Sequence, residues 1–182
     1  MARVLPHFIQ HRPRSEELVC LHEGGHVQFI LAARTLPEFV EIVQDAEPYG
    51  RTRALQFTGR RKRVIAVAGY AVELYLHKAA RLVDANGNGV SDKLFIQEAV
   101  ANHAANDKIM FFGENRELAT GCWPRTDDQR FMECGDRMLQ FLNVAFLNDF
   151  ATELLNKQRL GKAEIERIGR RHGVIQPRLR RR

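Results

Sequence analysis

Two histidines four positions apart, His22 and His26, enclose a glutamate and two glycines in the run His22-Glu23-Gly24-Gly25-His26. The surrounding chain reads as a helix. Ser15 followed by Glu16 and Glu17 has the form of an N-cap with acids in the first turn, where they complement the helix dipole. Leu18, His22, Phe29 or Ile30, and Ala33 recur at helical spacing, so the helix is expected to reach about Arg34 with both histidines on its core-facing stripe. Residues four apart on a helix share a face, and both imidazoles can therefore reach one ion while Glu23 reaches a water on it. An interior glycine costs about 1 kcal/mol relative to alanine, so the pair at Gly24 and Gly25 implies neighbours that need the space.

Beyond Pro37, Phe39–Val43 and Ala54–Phe57 alternate apolar and polar residues around the link Pro48-Tyr49-Gly50, which predicts a small hairpin. Helical character returns from Arg60 to about Ala80. Ala66, Ala68, Gly69 and Ala71 give that segment a face small enough for the first helix to approach closely. Asp84–Gly89 reads as a turn-rich loop. Its partial match to a calcium loop fails at the twelfth position, where Phe95 stands in place of a bidentate glutamate. Ser91 is then the expected N-cap of a helix from Asp92 to around Met110. Gly113–Pro124, with Trp123 as a loop anchor, reads as irregular. Thr126-Asp127-Asp128-Gln129 reads as a capping box opening one long helix to about Asn156, and a short helix, Lys162 to Arg171, follows Gly161. The expectation is a mainly α, helical zincin-like peptidase domain with a small β-hairpin, a single domain over 1–182 with flexible termini at 1–14 and 174–182.

The H-E-x-x-H pattern names the chemistry. Zinc accepts imidazole nitrogen readily, and an open coordination position lowers the pKa of bound water toward about 7. Glu23 would take the water's proton and deliver it to the leaving amine, which makes Zn2+ the expected cofactor and metalloendopeptidase (hydrolase) the expected activity. His7, His11, His77, His103 and His172 read instead as surface or hydrogen-bonded residues. Tyr70 is the one guess for an oxyanion-stabilising group.

In chain order, four segments resemble the peptidase domain of the FtsH-type ATP-dependent zinc metalloproteases. His22–His26 is similar to that family's HEAGH helix, with Gly24 in place of the usual alanine, and Phe39–Phe57 to its following strands. Ala68-Gly69-Tyr70-Ala71-Val72-Glu73 is similar to its AGRxAE helix, with Tyr70 where arginine is usual, and Ser91-Asp92 to the opening of its next helix. Phe150–Leu155 with Leu160 and Ala163–Glu166 is similar to its closing helices. The resemblance implies Asp92 as third metal ligand beside His22 and His26. It makes Glu73, the competing ligand, a residue that orients a histidine. An extended peptide is expected to pair its backbone along the edge strand near Phe39–Val43. No G-x-x-x-x-G-K-[ST] loop occurs, so ATP-driven unfolding is absent from this sequence. Peptides, unstructured protein segments, or proteins presented by a separate unfoldase or adaptor are the expected substrates. A non-catalytic metal-binding adaptor or regulatory relative is the alternative.

At 182 residues, 45% hydrophobic and 27% charged, the chain has the composition of a folded protein. Its longest apolar stretch, Val64–Leu76, is broken by Glu73 and too short to cross a bilayer, and no secretory signal opens the sequence, so cytoplasmic residence is expected. Cys20, Cys122 and Cys134 show neither disulfide nor zinc-knuckle spacing. The net charge of +6 is concentrated in Arg178–Arg182 and Arg60–Arg63, which read as a solvated tail and a helix start rather than a nucleic-acid surface.

Overall fold

Ser15 does open a helix: its hydroxyl accepts the Leu18 N–H at 3.2 Å and starts α1 (Glu16–Ala32). In the computed structural model, which describes residues 2–44, 48–54, 56–113 and 125–175, this helix lies at the centre. Nearly every residue from Leu18 to Leu31 is buried, because α1 is covered on several sides at once. Its two glycines explain how. A Cβ on Gly25 would stand 2.6 Å from the Ala68 carbonyl oxygen, on α3 (Ala68–Lys78). A Cβ on Gly24 would meet Phe150 at 3.1 Å and Leu147 at 3.3 Å, on α7 (Val144–Lys157). The adjacent glycines thus admit a different helix on each of two faces.

The remaining elements make a mainly helical fold with small sheets, as the sequence leads one to expect. β2 (Phe39–Val43) forms where predicted, but its partner is β3 (Tyr49–Arg53) rather than Ala54–Phe57. The antiparallel register runs from Phe39 opposite Arg53 to Val43 opposite Tyr49. Tyr49-Gly50-Arg51-Thr52-Arg53 has no apolar face because it is an edge strand, so alternation could not reveal it. Gly50 is there for space: a Cβ at that position would overlap Glu23 at 2.2 Å. On its other side β2 pairs with β5 (Arg159–Gly161), a strand too short to show in the sequence pattern.

Other departures also have local causes. The segment read as a helix from Arg60 to Ala80 is two helices, α2 (Gly59–Ala66) and α3, with the break at Val67. Asp92 to Met110 begins as the short α4 (Asp92–Phe95), widens into a π-helical stretch over Ile96–His103, and resumes as α5 (Ala105–Phe112). The long helix expected to Asn156 is α6 (Arg125–Met138), a 3-10 turn, and then α7. Asn143 makes that break. Its side chain caps the Phe146 N–H at 3.0 Å while its own N–H donates to Gln28 Oε1 at 2.9 Å, tying the junction to α1. α8 (Lys162–Arg171) forms as read, with the Glu164 carboxylate accepting from the Gly161 N–H.

The N-terminal residues are not a flexible tail. β1 (Ile9–Gln10) pairs in parallel with β4 (Leu82–Val83), and Ile9 and His11 are both fully buried. Asp84 satisfies its own turn, accepting the Asn86 and Asn88 N–H groups, in keeping with a turn rather than a calcium loop. Trp123, Cys122 and Arg178–Arg182 lie outside the described residues. Among the described residues no helix is long and apolar enough to cross a membrane.

Because Gly25 faces backbone, its neighbours cannot yield by rotating a side chain. Gly25→Ala is expected to destabilise the protein by about 1–3 kcal/mol, measured by denaturant unfolding. An unchanged midpoint would show that α1 and α3 do not meet this closely.

Candidate metal centre

α1 carries His22 and His26 one turn apart, with their ring centroids 4.9 Å from each other. Each ring is held by its Nδ1. The His22 Nδ1–H donates to Glu73 Oε1 at 2.8 Å, and the His26 Nδ1–H donates to the Ile65 carbonyl oxygen at 2.7 Å. Gly69, on α3, leaves room for the first ring, since a Cβ there would overlap His22 Nε2 at 2.2 Å. With both Nδ1 protons engaged, each Nε2 presents a lone pair to the same point.

A carboxylate stands at that point. Asp107 on α5 brings Oδ2 within 3.1 Å of His22 Nε2 and Oδ1 within 3.3 Å of His26 Nε2. Three groups rich in lone pairs converge without a donor among them unless a proton or a cation sits between. Burial alone would disfavour the His26 imidazolium, but the Asp107 carboxylate, by charge and by hydrogen bond, and Glu23 lift it to about 9. Asp107 is likewise buried, yet His26 and His22 hold its carboxyl below the usual carboxylate range. The site attracts positive charge.

The spacing suits zinc. Donors about 2.0–2.1 Å from a tetrahedral zinc stand roughly 3.3 Å apart, close to the separation of Asp107 Oδ2 from His22 Nε2 and of Asp107 Oδ1 from His26 Nε2. Two imidazoles and one carboxylate are also a donor set that zinc takes with a coordination position left open. The residues present therefore fit the ion.

Asp92, the expected third ligand, is elsewhere. As the first residue of α4, capped by Ser91, it turns its carboxylate to solvent, with the side chain 95% exposed and bonded to His77 Nε2 at 2.8 Å. Asp107 had a sequence signal of its own. Val100, Ala104 and Asp107 recur at helical spacing and all three are buried, which singles out one acidic residue. Tyr70 is no oxyanion group here either, for its ring is buried against Phe95 and Phe131.

Glu73 lies on the Nδ1 side of His22, away from the convergence point, in the orienting position. Its Oε2 accepts the His103 Nδ1–H at 2.8 Å and lies 3.4 Å from His11 Nε2, while Arg14 Nη2 lies 3.2 Å from Oε1. Burial opposes the Glu73 charge, but His103, His11 and His22 together hold its carboxyl well below the ordinary range. His11, Glu73 and His103 are close enough to face a cation of their own. The Arg14 guanidinium already neutralises that carboxylate, and a buried dication beside it would be repelled.

Glu23 faces the other way, toward the sheet. Its Oε2 accepts the Thr52 hydroxyl at 2.5 Å, and Gly50 lets β3 lie directly on the carboxylate. His22, Glu23 and His26 each offer an atom within 4.8 Å of the others, so the glutamate borders the convergence point. β2, where a bound peptide was expected to pair, has both edges occupied, by β3 and β5. The free strand edge beside Glu23 belongs to β3.

No known protein-family model and no curated protein matches the chain.

If Glu73 fixes the tautomer of His22, Glu73→Gln, which keeps the shape and loses the charge, is expected to weaken zinc binding about 10–100-fold. Competition against a chromogenic chelator measures this, and wild-type affinity in the variant would remove the orienting role.

Proposed function

We propose that the chain is a zinc-dependent endopeptidase, with His22, His26 and Asp107 holding the metal and Glu23 moving the proton. The observation that carries this reading is the convergence of two Nδ1-anchored imidazoles and a buried carboxylate on one point, with a second carboxylate beside it. Zinc held there supplies Lewis acidity, polarising a peptide carbonyl and acidifying a water. The chain's own residues do the rest. Glu23 accepts the water's proton and returns it to the departing amine, and the Thr52 hydroxyl, donating to Oε2, holds the carboxylate in place. An extended peptide adds to the exposed edge of β3, its main chain pairing with Tyr49–Arg53 and its scissile bond brought over Glu23.

The resemblance to FtsH-type peptidase domains supports the same reading through the HExxH helix and the Ala68–Glu73 motif, whose glutamate sits where an orienting residue is needed. Substrates are peptides, unstructured segments, or proteins delivered by a separate unfoldase or adaptor. Cytoplasmic residence belongs to the same reading, in keeping with Cys20, a buried free thiol.

Glu23→Gln keeps the shape of the side chain but removes the base. Hydrolysis of a casein-derived peptide mixture, followed by mass spectrometry, is expected to fall by about 100-fold or more while zinc content stays at the wild-type level. Full activity in the variant would reject Glu23 as the base. Zinc-loaded wild type that cleaves nothing would favour the non-catalytic metal-binding module instead.

A further inference from the structure

One helical turn beyond Asp107, α5 enters the wall of a second feature, a cavity of about 660 Å³ between α2, α5 and α6. Its floor is apolar, formed by Val64, Phe111, Phe112 and Met138. Its rim is not. Arg60 and Arg63 on α2 and Arg130 and Arg137 on α6 surround it, against one acidic lining residue, Glu133.

These guanidiniums are largely unspent. Arg60 and Arg63 have no acidic partner among the described residues. Arg137 reaches Glu133 only at 3.9 Å, and Arg130 reaches Asp127 only at 3.9 Å. Arg137, Arg63 and Arg60 all act on the half-buried Cys134 thiol, pulling against the burial that raises its pKa, so their fields meet inside the cavity. Held this close, like charges repel, and an anion entering the cavity would relieve that cost.

Its place ties the cavity to the metal centre. Val64 and Arg63 directly precede Ile65, whose carbonyl anchors His26, and Phe111 lies four residues after Asp107, about 5–6 Å along the same helix face. The two helices that wall the cavity, α2 and α5, therefore also carry residues of the metal centre, Ile65 and Asp107.

We propose that this arginine-rimmed cavity receives an acidic side chain of the substrate, glutamate first, so that the peptidase selects bonds flanked by a glutamate. An aliphatic stem covering the apolar floor and a carboxylate among the guanidiniums match glutamate better than a bare phosphate or a nucleic-acid backbone, which would leave the floor uncovered. The inference rests on the peptidase reading, and its test separates the two.

Short fluorogenic peptides that differ only by Glu, Gln or Lys at each position around one cleaved bond give the ratio of kcat/KM within each protein. For wild type, Glu at one position is expected to exceed Gln by about tenfold, and in Arg63→Glu combined with Arg137→Glu the order is expected to reverse in favour of Lys. Equal rates for Glu and Gln in wild type would overturn the pocket while leaving the peptidase intact. The second arm needs no catalysis: fluorescence anisotropy of labelled Glu and Gln peptides on the Glu23→Gln protein. Preferential, salt-sensitive binding of the Glu peptide, lost on the double charge reversal, supports the pocket even if no peptide is cleaved. Tighter binding of a single-stranded DNA oligonucleotide than of the Glu peptide, lost in the same variant, would overturn it.

Discussion

The anchoring of two imidazoles by their Nδ1 atoms organises the rest of this molecule. A histidine on a helix can rotate and can carry its proton on either nitrogen, so it offers a metal ligand only when something fixes both choices. Here Glu73 fixes His22 and the Ile65 carbonyl fixes His26, from two different helices on one side of α1. The first contact requires α3 to lie almost on the α1 backbone, and Gly25 and Gly69 are what permit it. Glycines that weaken a helix by themselves are thus retained where a side chain would push the anchors away.

Glu73 shows how far the support extends. A buried carboxylate with so many partners would be costly if any of them were missing, because its charge has no access to water. Arg14, His11 and His103 come from the N-terminal segment and the π-helical stretch. Neither element carries His22, His26 or Asp107, yet both hold the residue that holds His22. The pairing of β1 with β4 has the same consequence, since it pins the segment from which His11 and Arg14 reach inward. β3 lies over Glu23, so the imidazoles and the glutamate of α1 are shaped by separate elements.

Much of this was legible in the sequence. The capped helix, its two inward histidines and the need for space at Gly24 and Gly25 follow from spacing and propensity alone. The carboxylate that faces the two imidazoles was not legible, because the family resemblance points to Asp92, an acid in the first turn after a serine cap, a pattern that serves helix stability as well as it would serve a metal. Asp107 carries no local signature, only its place on a buried stripe, and the π-helical turns before it alter the rotation that a regular helix would give. β3 was hidden for a related reason. An edge strand whose inner face carries only Gly50 and Thr52 has no apolar alternation to read, and Gly50, which resembles a turn residue, answers to a side chain on another element. Contacts between distant segments, unlike caps and periodicities, leave little trace in a single sequence.

His22, His26 and Asp107 are proposed to form one metal site in which Asp92 has no part. Zinc content by elemental mass spectrometry, on wild type, Asp107→Ala and Asp92→Ala purified alike and supplied with zinc, tests it most directly. Near-stoichiometric zinc in wild type and Asp92→Ala, with loss in Asp107→Ala, is the predicted result. Zinc retained by Asp107→Ala and lost from Asp92→Ala would contradict the account.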